Sequence, residues 1–257
     1  MDLGIVDRIA VVAGGSRGCG FAISSELARE GARVVLSGRD PEAVKAAVNA
    51  IAAEGGAVIG VVADMNIKSD AALIASEARR AFGDPAILVI NPAMSNLKGG
   101  FDNTSDEAFI QANNDWIMSH VYLVRETLPA MKANAWGRVV SIGSVSQKMP
   151  NLLDPLYTGN IRVASAAFIK TLSGEYGRAG ITANTICTGP FMSELVKGYM
   201  QDSGDFGADH VVERSSSGRW GETREIGGIV AFLCSELASY INGEAIRVDG
   251  GYTHNLF

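Results

Sequence analysis

Short apolar runs alternate with longer stretches of helical periodicity from one end of the chain to the other. The runs at 9–13, 33–37, 57–63, 87–90, 138–142, 181–187 and 245–248 are nearly continuous apolar runs instead of alternating apolar with polar. That pattern predicts strands buried on both faces, as in a parallel sheet covered by helices. Between them, 20–30, 41–54, 70–82, 106–133, 155–177 and 222–238 are predicted helices. Regular strand–helix alternation implies right-handed crossovers, hence a doubly wound α/β fold in three layers, αβα, with about seven strands. No internal repeat, low-complexity tract or linker divides the chain, so residues 1–257 are expected to form one domain. One long segment, 190–219, escapes the pattern and is expected to be a substrate lid.

Composition narrows the function classes. Hydrophobic residues make up 47% of the 257 positions and charged residues 19%, enough apolar surface to cover both faces of a sheet. A net charge of −6 without a basic stripe argues against a nucleic-acid partner. Cys19, Cys187 and Cys234 form no CxxC pair and no metal-ligand cluster with His120, His210 and His254, so no metal is expected and the thiols suit a reducing compartment. Asp2, Asp7 and Arg8 interrupt the start of the chain, unlike a signal peptide, and no apolar run approaches a membrane span. The expected location is the cytoplasm.

The first strand leads into Gly14-Gly15-Ser16-Arg17-Gly18-Cys19-Gly20 at the start of a helix. Gly14 permits a tight turn, Gly18 lets the backbone approach a pyrophosphate, and Gly20 allows close helix–strand packing. The helix N-terminus offers free N–H groups and a positive dipole end to the anion. Any sharp strand–helix turn favours glycine. Placed after the first strand of an alternating α/β chain, the loop reads as the dinucleotide-binding turn of a Rossmann fold. At the end of the second strand an NAD-type site carries a carboxylate, whereas Ser37-Gly38-Arg39 stands here with Arg17 in the loop itself. Two guanidinium groups suit a 2′-phosphate, so NADP(H) is the expected cofactor, although Asp40 adjoins Arg39 and either arginine could be simply solvated.

With these residues in view the chain resembles the short-chain dehydrogenase/reductase family over nearly its whole length. The Thr-Gly-x-x-x-Gly-x-Gly signature stands at 13–20 with Ala13 for threonine, and Asp64, followed by Met65, matches the acidic residue that meets the adenine. The Asn-Asn-Ala-Gly turn is reduced to Ile90-Asn91-Pro92-Ala93. Ser144 ends the fifth strand in the family's catalytic-serine position, and Tyr157 follows thirteen residues later. Thr188-Gly189 matches a Pro-Gly turn, Ser193 replaces the threonine that holds the nicotinamide amide, and Gly218–Gly221 and Val248–Gly251 fit the family's C-terminal part. The resemblance implies a cofactor along Gly14, Ser16, Arg17, Gly18, Cys19, Gly20, Arg39, Asp64, Met65, Asn91, Tyr157, Phe191 and Ser193, with Ser144 and Tyr157 catalytic. It also implies a homotetramer or dimer, through 106–133, 155–177 and the apolar tail 252–257.

Two further family positions carry other residues. A free phenol has a pKa of about 10, and the family lowers it with a lysine four residues after the tyrosine, on the same helix face. That position is Ile161; Arg162 is turned about 100° away around the helix. The family's asparagine, which carries a water-linked proton path, aligns with Trp116, 28 residues before Ser144. Lowering a phenol by about three units needs roughly 4 kcal/mol, which an isoleucine does not supply. His120, one turn beyond Trp116, reads as a solvated or interface histidine, and Cys187 as an apolar filler. The expected function is therefore NADP(H)-dependent carbonyl–alcohol interconversion, slow or narrow in scope. The apolar Met94, Met149, Leu152, Leu153, Phe191 and Met192 suggest a small or medium hydrophobic substrate. The alternatives are a non-redox isomerase, lyase or dehydratase on the same fold, and a catalytically silent NADP-binding subunit.

Overall fold

The computed structural model describes residues 2–92, 101–150, 158–193 and 208–256. Strands β1 (Ile9–Ala13), β2 (Arg33–Gly38), β3 (Val58–Val62), β4 (Ile87–Ile90), β5 (Gly137–Ser144), β6 (Ile181–Thr188) and β7 (Ala245–Val248) form one parallel sheet in the order β3-β2-β1-β4-β5-β6-β7. Helices α1 (Gly18–Arg29), α2 (Pro41–Ala53), α3 (Lys68–Ala81), α4 (Asp106–Asn113), α5 (Ser119–Ala133), α6 (Thr158–Tyr176), α7 (Ala208–Arg214) and α8 (Thr223–Leu233) accompany it.

Successive strand residues point to opposite faces, and here each face is a core. Ala10, Val12, Val34, Leu36, Ile87 and Val89 pack with Ile23 and Leu27 of α1, Val44 and Ile51 of α2, and Ile226 and Val230 of α8. The intervening Val11, Ala13, Val35, Leu88 and Ile90 pack with Ile74 and Ala78 of α3, Leu123 and Val124 of α5, and Ile169 of α6. Those two cores are the doubly wound, three-layer arrangement the apolar runs predict. Only the edge strands depart from burial on both faces: β3 and β7 are half-exposed, with Val62 50% exposed, since each lacks a neighbour on one side.

The predicted helix 106–133 is broken into α4, a π-helical segment Asn114–Met118 that contains Trp116, and α5. A π turn inserts one residue without interrupting the helix, so apolar periodicity on either side survives and conceals it. The predicted helix 222–238 stops at Leu233; of the expected lid at 190–219, residues 194–207 lie outside the described residues and Ala208–Arg214 forms the two-turn α7. The chain order reverses between β1 and β4, and ligands of open α/β sheets bind at such a switch point beyond the strands' carboxyl ends. Among the described residues no helix is long and apolar enough to cross a membrane.

Candidate active site

At the switch point the turn after β1 is packed too tightly for a side chain at Gly14 or Gly20. Gly14 has φ +77°, and a Cβ there would fall on the Asn91 carbonyl and lie 3.1 Å from the Met65 methyl. A Cβ at Gly20 would meet the Gly14 carbonyl and sit 2.7 Å from Asn91 Nδ2. Asn91, directly after β4, fastens the turn: its N–H donates to the Ala13 carbonyl at 2.9 Å and its Nδ2 to the Gly14 carbonyl at 2.9 Å. Gly18 opens α1 at φ +54°, its Cβ position clear to 3.8 Å, where Ser193 stands. The structure thus brings Gly14, Gly18, Gly20, Met65, Asn91 and Ser193 together. A glycine turn leading straight into the N-terminus of α1 fits a pyrophosphate, since the free N–H groups and the positive dipole end of the helix suit an anion. Cys19 lies within it, its thiol pushed up to about 11 by burial, so it stays protonated.

The end of β2 lies beside this turn. Ser16 Oγ sits against Gly38. Asp40 caps α2, accepting from the Glu42 amide at 2.9 Å and the Ala43 amide at 3.3 Å, and forms an ion pair with the exposed Arg17. The Ala43 amide foremost, with Glu42 and Arg17, holds its carboxyl below the usual range. Asp40 is therefore committed to the cap and to Arg17, while Arg39 beside it is exposed. Asp64 accepts from the Asn66 amide at 3.0 Å, and its own N–H donates to Asp70 at 2.9 Å, fixing the turn after β3.

Further along the same edge Ser144 ends β5, 5% exposed, its Oγ accepting from the Ser146 amide at 3.3 Å. It pairs in register with Thr188 of β6, and Gly143 with Cys187. Burial pushes the Cys187 thiol up to about 11, in keeping with a filler and not a nucleophile. Phe191 is buried with its ring against Gly221; Met149 and Met192 are half-buried. Tyr157, Met94, Leu152 and Leu153 lie outside the described residues. Among the described residues no cluster of His, Cys, Asp or Glu could hold a metal ion.

Trp116 and Ile161 meet. With Ala112 they form a separate buried apolar cluster, 3% and 4% exposed respectively. Arg162 does not face elsewhere, as its helical angle suggests: it is 6% exposed and its guanidinium lies 4.8 Å from the centre of the Trp116 ring. The long side chain reaches back over the indole, a favourable cation–π geometry.

His120 is neither solvated nor at a surface. It is fully buried, with Nδ1 2.6 Å from the Trp116 carbonyl and Nε2 2.8 Å from Ser141 Oγ. A carbonyl only accepts, so Nδ1 carries the proton and Nε2 accepts from Ser141. Burial lowers the imidazole to about 4, so it is neutral in the folded state. Between about pH 6.5 and that value the unfolded chain binds the extra proton, and stability falls as pH drops through this window, by about 3 kcal/mol at most. Urea unfolding over that range should show the slope, and His120→Gln should flatten it.

The comparisons with known proteins agree with this architecture. The family model described as Enoyl-(Acyl carrier protein) reductase matches residues 13–253. A tropinone reductase homolog of Arabidopsis thaliana is 31% identical over 253 residues, covering 98% of this chain and 95% of its own. L-sorbose reductase from Gluconobacter frateurii, solved with NADPH and L-sorbose, superposes with a TM-score of 0.91 at 28% identity over the whole of both chains. The NADPH-bound short chain oxidoreductase of Pseudomonas aeruginosa PAO1, described as containing an atypical catalytic center, superposes at 0.89 with 26% identity, covering 98% of this chain and 99% of that one. By the family model, by these relatives and by its fold, the chain belongs to the short-chain dehydrogenase/reductase family.

Proposed function

We propose that this chain is an NADP(H)-dependent oxidoreductase that interconverts a carbonyl and an alcohol on a small or medium substrate. The observation that carries this reading is the glycine turn at Gly14–Gly20, closed by Asn91, on the same sheet edge as Ser144. When bound there, the cofactor supplies or receives the hydride. The backbone of 14–20 would hold the pyrophosphate, Arg17 and Arg39 the 2′-phosphate, Asp64 and Met65 the adenine side, and Asn91, Phe191 and Ser193 the nicotinamide side. The commitment of Asp40 to its helix cap and to Arg17 supports NADP(H), because a carboxylate so engaged is a poor acceptor for ribose hydroxyls. Two solved relatives also carry NADPH.

Ser144 would hold the substrate oxygen, and Tyr157 would exchange its proton with it. With Ile161 and Trp116 in the places of the family's lysine and asparagine, nothing apolar there stabilises a phenolate, and burial raises a phenol. Turnover is accordingly slow or confined to few substrates. The same cluster supports a second reading, in which Ser144 and Tyr157 serve a non-redox conversion or the chain binds NADP(H) without chemistry. Assembly as a homotetramer or dimer, a lid over 190–219 and a cytoplasmic location, the last consistent with three free cysteines, belong to the same proposal.

A panel of ketones with NADPH, followed at the nicotinamide absorbance, tests it. Oxidation of NADPH should occur with at least one ketone and fall on the order of a hundredfold or more in Ser144→Ala, with Tyr157→Phe inactive. Conversion of a substrate with no change in nicotinamide absorbance would select the non-redox reading instead.

A further inference from the structure

We propose that Gln147 is a positioning residue for the reaction proposed above, on which this inference rests: it ties Ser144 to helix α6 and so sets the serine relative to the helix that Tyr157 precedes. Its side chain makes contacts to three elements. Oε1 accepts from the Ser144 backbone N–H at 3.2 Å and from the Cys187 thiol of β6 at 3.4 Å, and Nε2 donates to the Arg162 carbonyl of α6 at 2.5 Å. The amide has one possible orientation, because the Ser144 N–H can only donate and the Arg162 carbonyl only accept. That carbonyl also accepts from Ser165 Oγ at 2.8 Å, so the clamp engages a fixed point of α6.

The neighbourhood is shaped around this amide. A Cβ at position 143 would land on the Gln147 side chain, 2.7 Å from Cδ and 3.0 Å from Nε2, so Gly143 leaves the room it occupies. Ser144 and Gln147 form a capping box around the single turn Val145–Gln147: the Ser144 hydroxyl accepts from the turn while Gln147 holds the Ser144 amide. The backbone of Ser144 is held by this residue and its hydroxyl by the Ser146 amide of the same turn, so the serine's placement relative to the first turns of α6 depends on Gln147. The Ser-x-x-Gln spacing is present in the sequence; its reach to Arg162 is visible only in the fold.

Gln147→Glu is the discriminating variant. An ionised glutamate still accepts from the Ser144 amide but faces the Arg162 carbonyl with a second acceptor; protonated, it donates there as the amide does. That contact favours the protonated form, which gains as pH falls. The variant's kcat should be on the order of tenfold or more below wild type at about pH 8 and recover toward about pH 5, whereas Gln147→Met should be low throughout. NADPH affinity should stay within about twofold in both, since no contact of Gln147 reaches the 14–20 turn, and a purely structural lesion would not restore kcat with pH. Wild-type kcat and an unaltered pH profile in both variants would overturn the proposal while leaving the carbonyl chemistry standing. If the wild type itself reduces no carbonyl, the reading under Proposed function falls, and hydrogen exchange of the Ser144 amide decides the clamp. Exchange faster by about tenfold in Gln147→Met supports it, and unchanged exchange overturns it.

Discussion

Ile161→Lys alone is expected to destabilise the protein by about 3–5 kcal/mol without raising turnover, while the double variant Ile161→Lys, Trp116→Asn raises carbonyl reduction at least about tenfold over wild type. The single change drives an ammonium into the cluster of Trp116, Ile161 and Ala112, where it meets the indole and the nearby Arg162 guanidinium. A buried amine without an acceptor loses its proton in preference to staying charged, and a neutral lysine lowers no phenol. Removing the indole as well frees volume, supplies an amide and admits water, so the ammonium can persist beside the α6 face that carries position 161. A tenfold gain corresponds to about 1.4 kcal/mol off the barrier, a modest part of the roughly 4 kcal/mol a phenol shift of three units would need. Urea unfolding and kcat/KM on both variants measure it. Equal activity in wild type and double variant would mean that the apolar pair does not limit turnover.

Gly20→Ala is expected to weaken NADPH binding at least about a hundredfold and to destabilise the fold by about 1–3 kcal/mol. The new methyl would fall on the Gly14 carbonyl and crowd Asn91 Nδ2, forcing apart the bond that fastens the turn to β4. Backbone cannot yield there as a flexible side chain can, so the amides that face the pyrophosphate must move. Gly174→Ala is the control: nothing lies within 4 Å of its Cβ position in α6, and it should leave cofactor affinity unchanged.

The central strands were legible because burial on both faces leaves a largely apolar run, as in β1, β2 and β4; the half-exposed edge strands β3 and β7 also stand where predicted. The turn at 14–20 was legible because its glycines serve a local need. What the sequence concealed depends on contacts between distant segments. His120 reads as a polar residue on a helix until Ser141, from β5, is found against its Nε2. Arg162 reads as turned away because spacing gives the direction of a Cβ and not the reach of a long side chain. The π turn at Asn114–Met118 adds one residue to an otherwise regular helix and leaves no mark in the periodicity on either side. Gln147 did leave a mark, the Ser-x-x-Gln spacing, overshadowed by the Ser144–Tyr157 spacing beside it. Asp40 could be read as ambiguous only while its cap was ignored; Asp-Pro-Glu before an apolar-periodic stretch is a helix start, and its carboxylate is consumed there.

The central claim, that NADP(H) lies across the carboxyl edge with its phosphates on the first turn, is tested most directly by titrating the purified chain with NADPH and with NADH. The expected result is saturable binding of both, NADPH at least about tenfold the tighter. No measurable affinity for either nucleotide would contradict it.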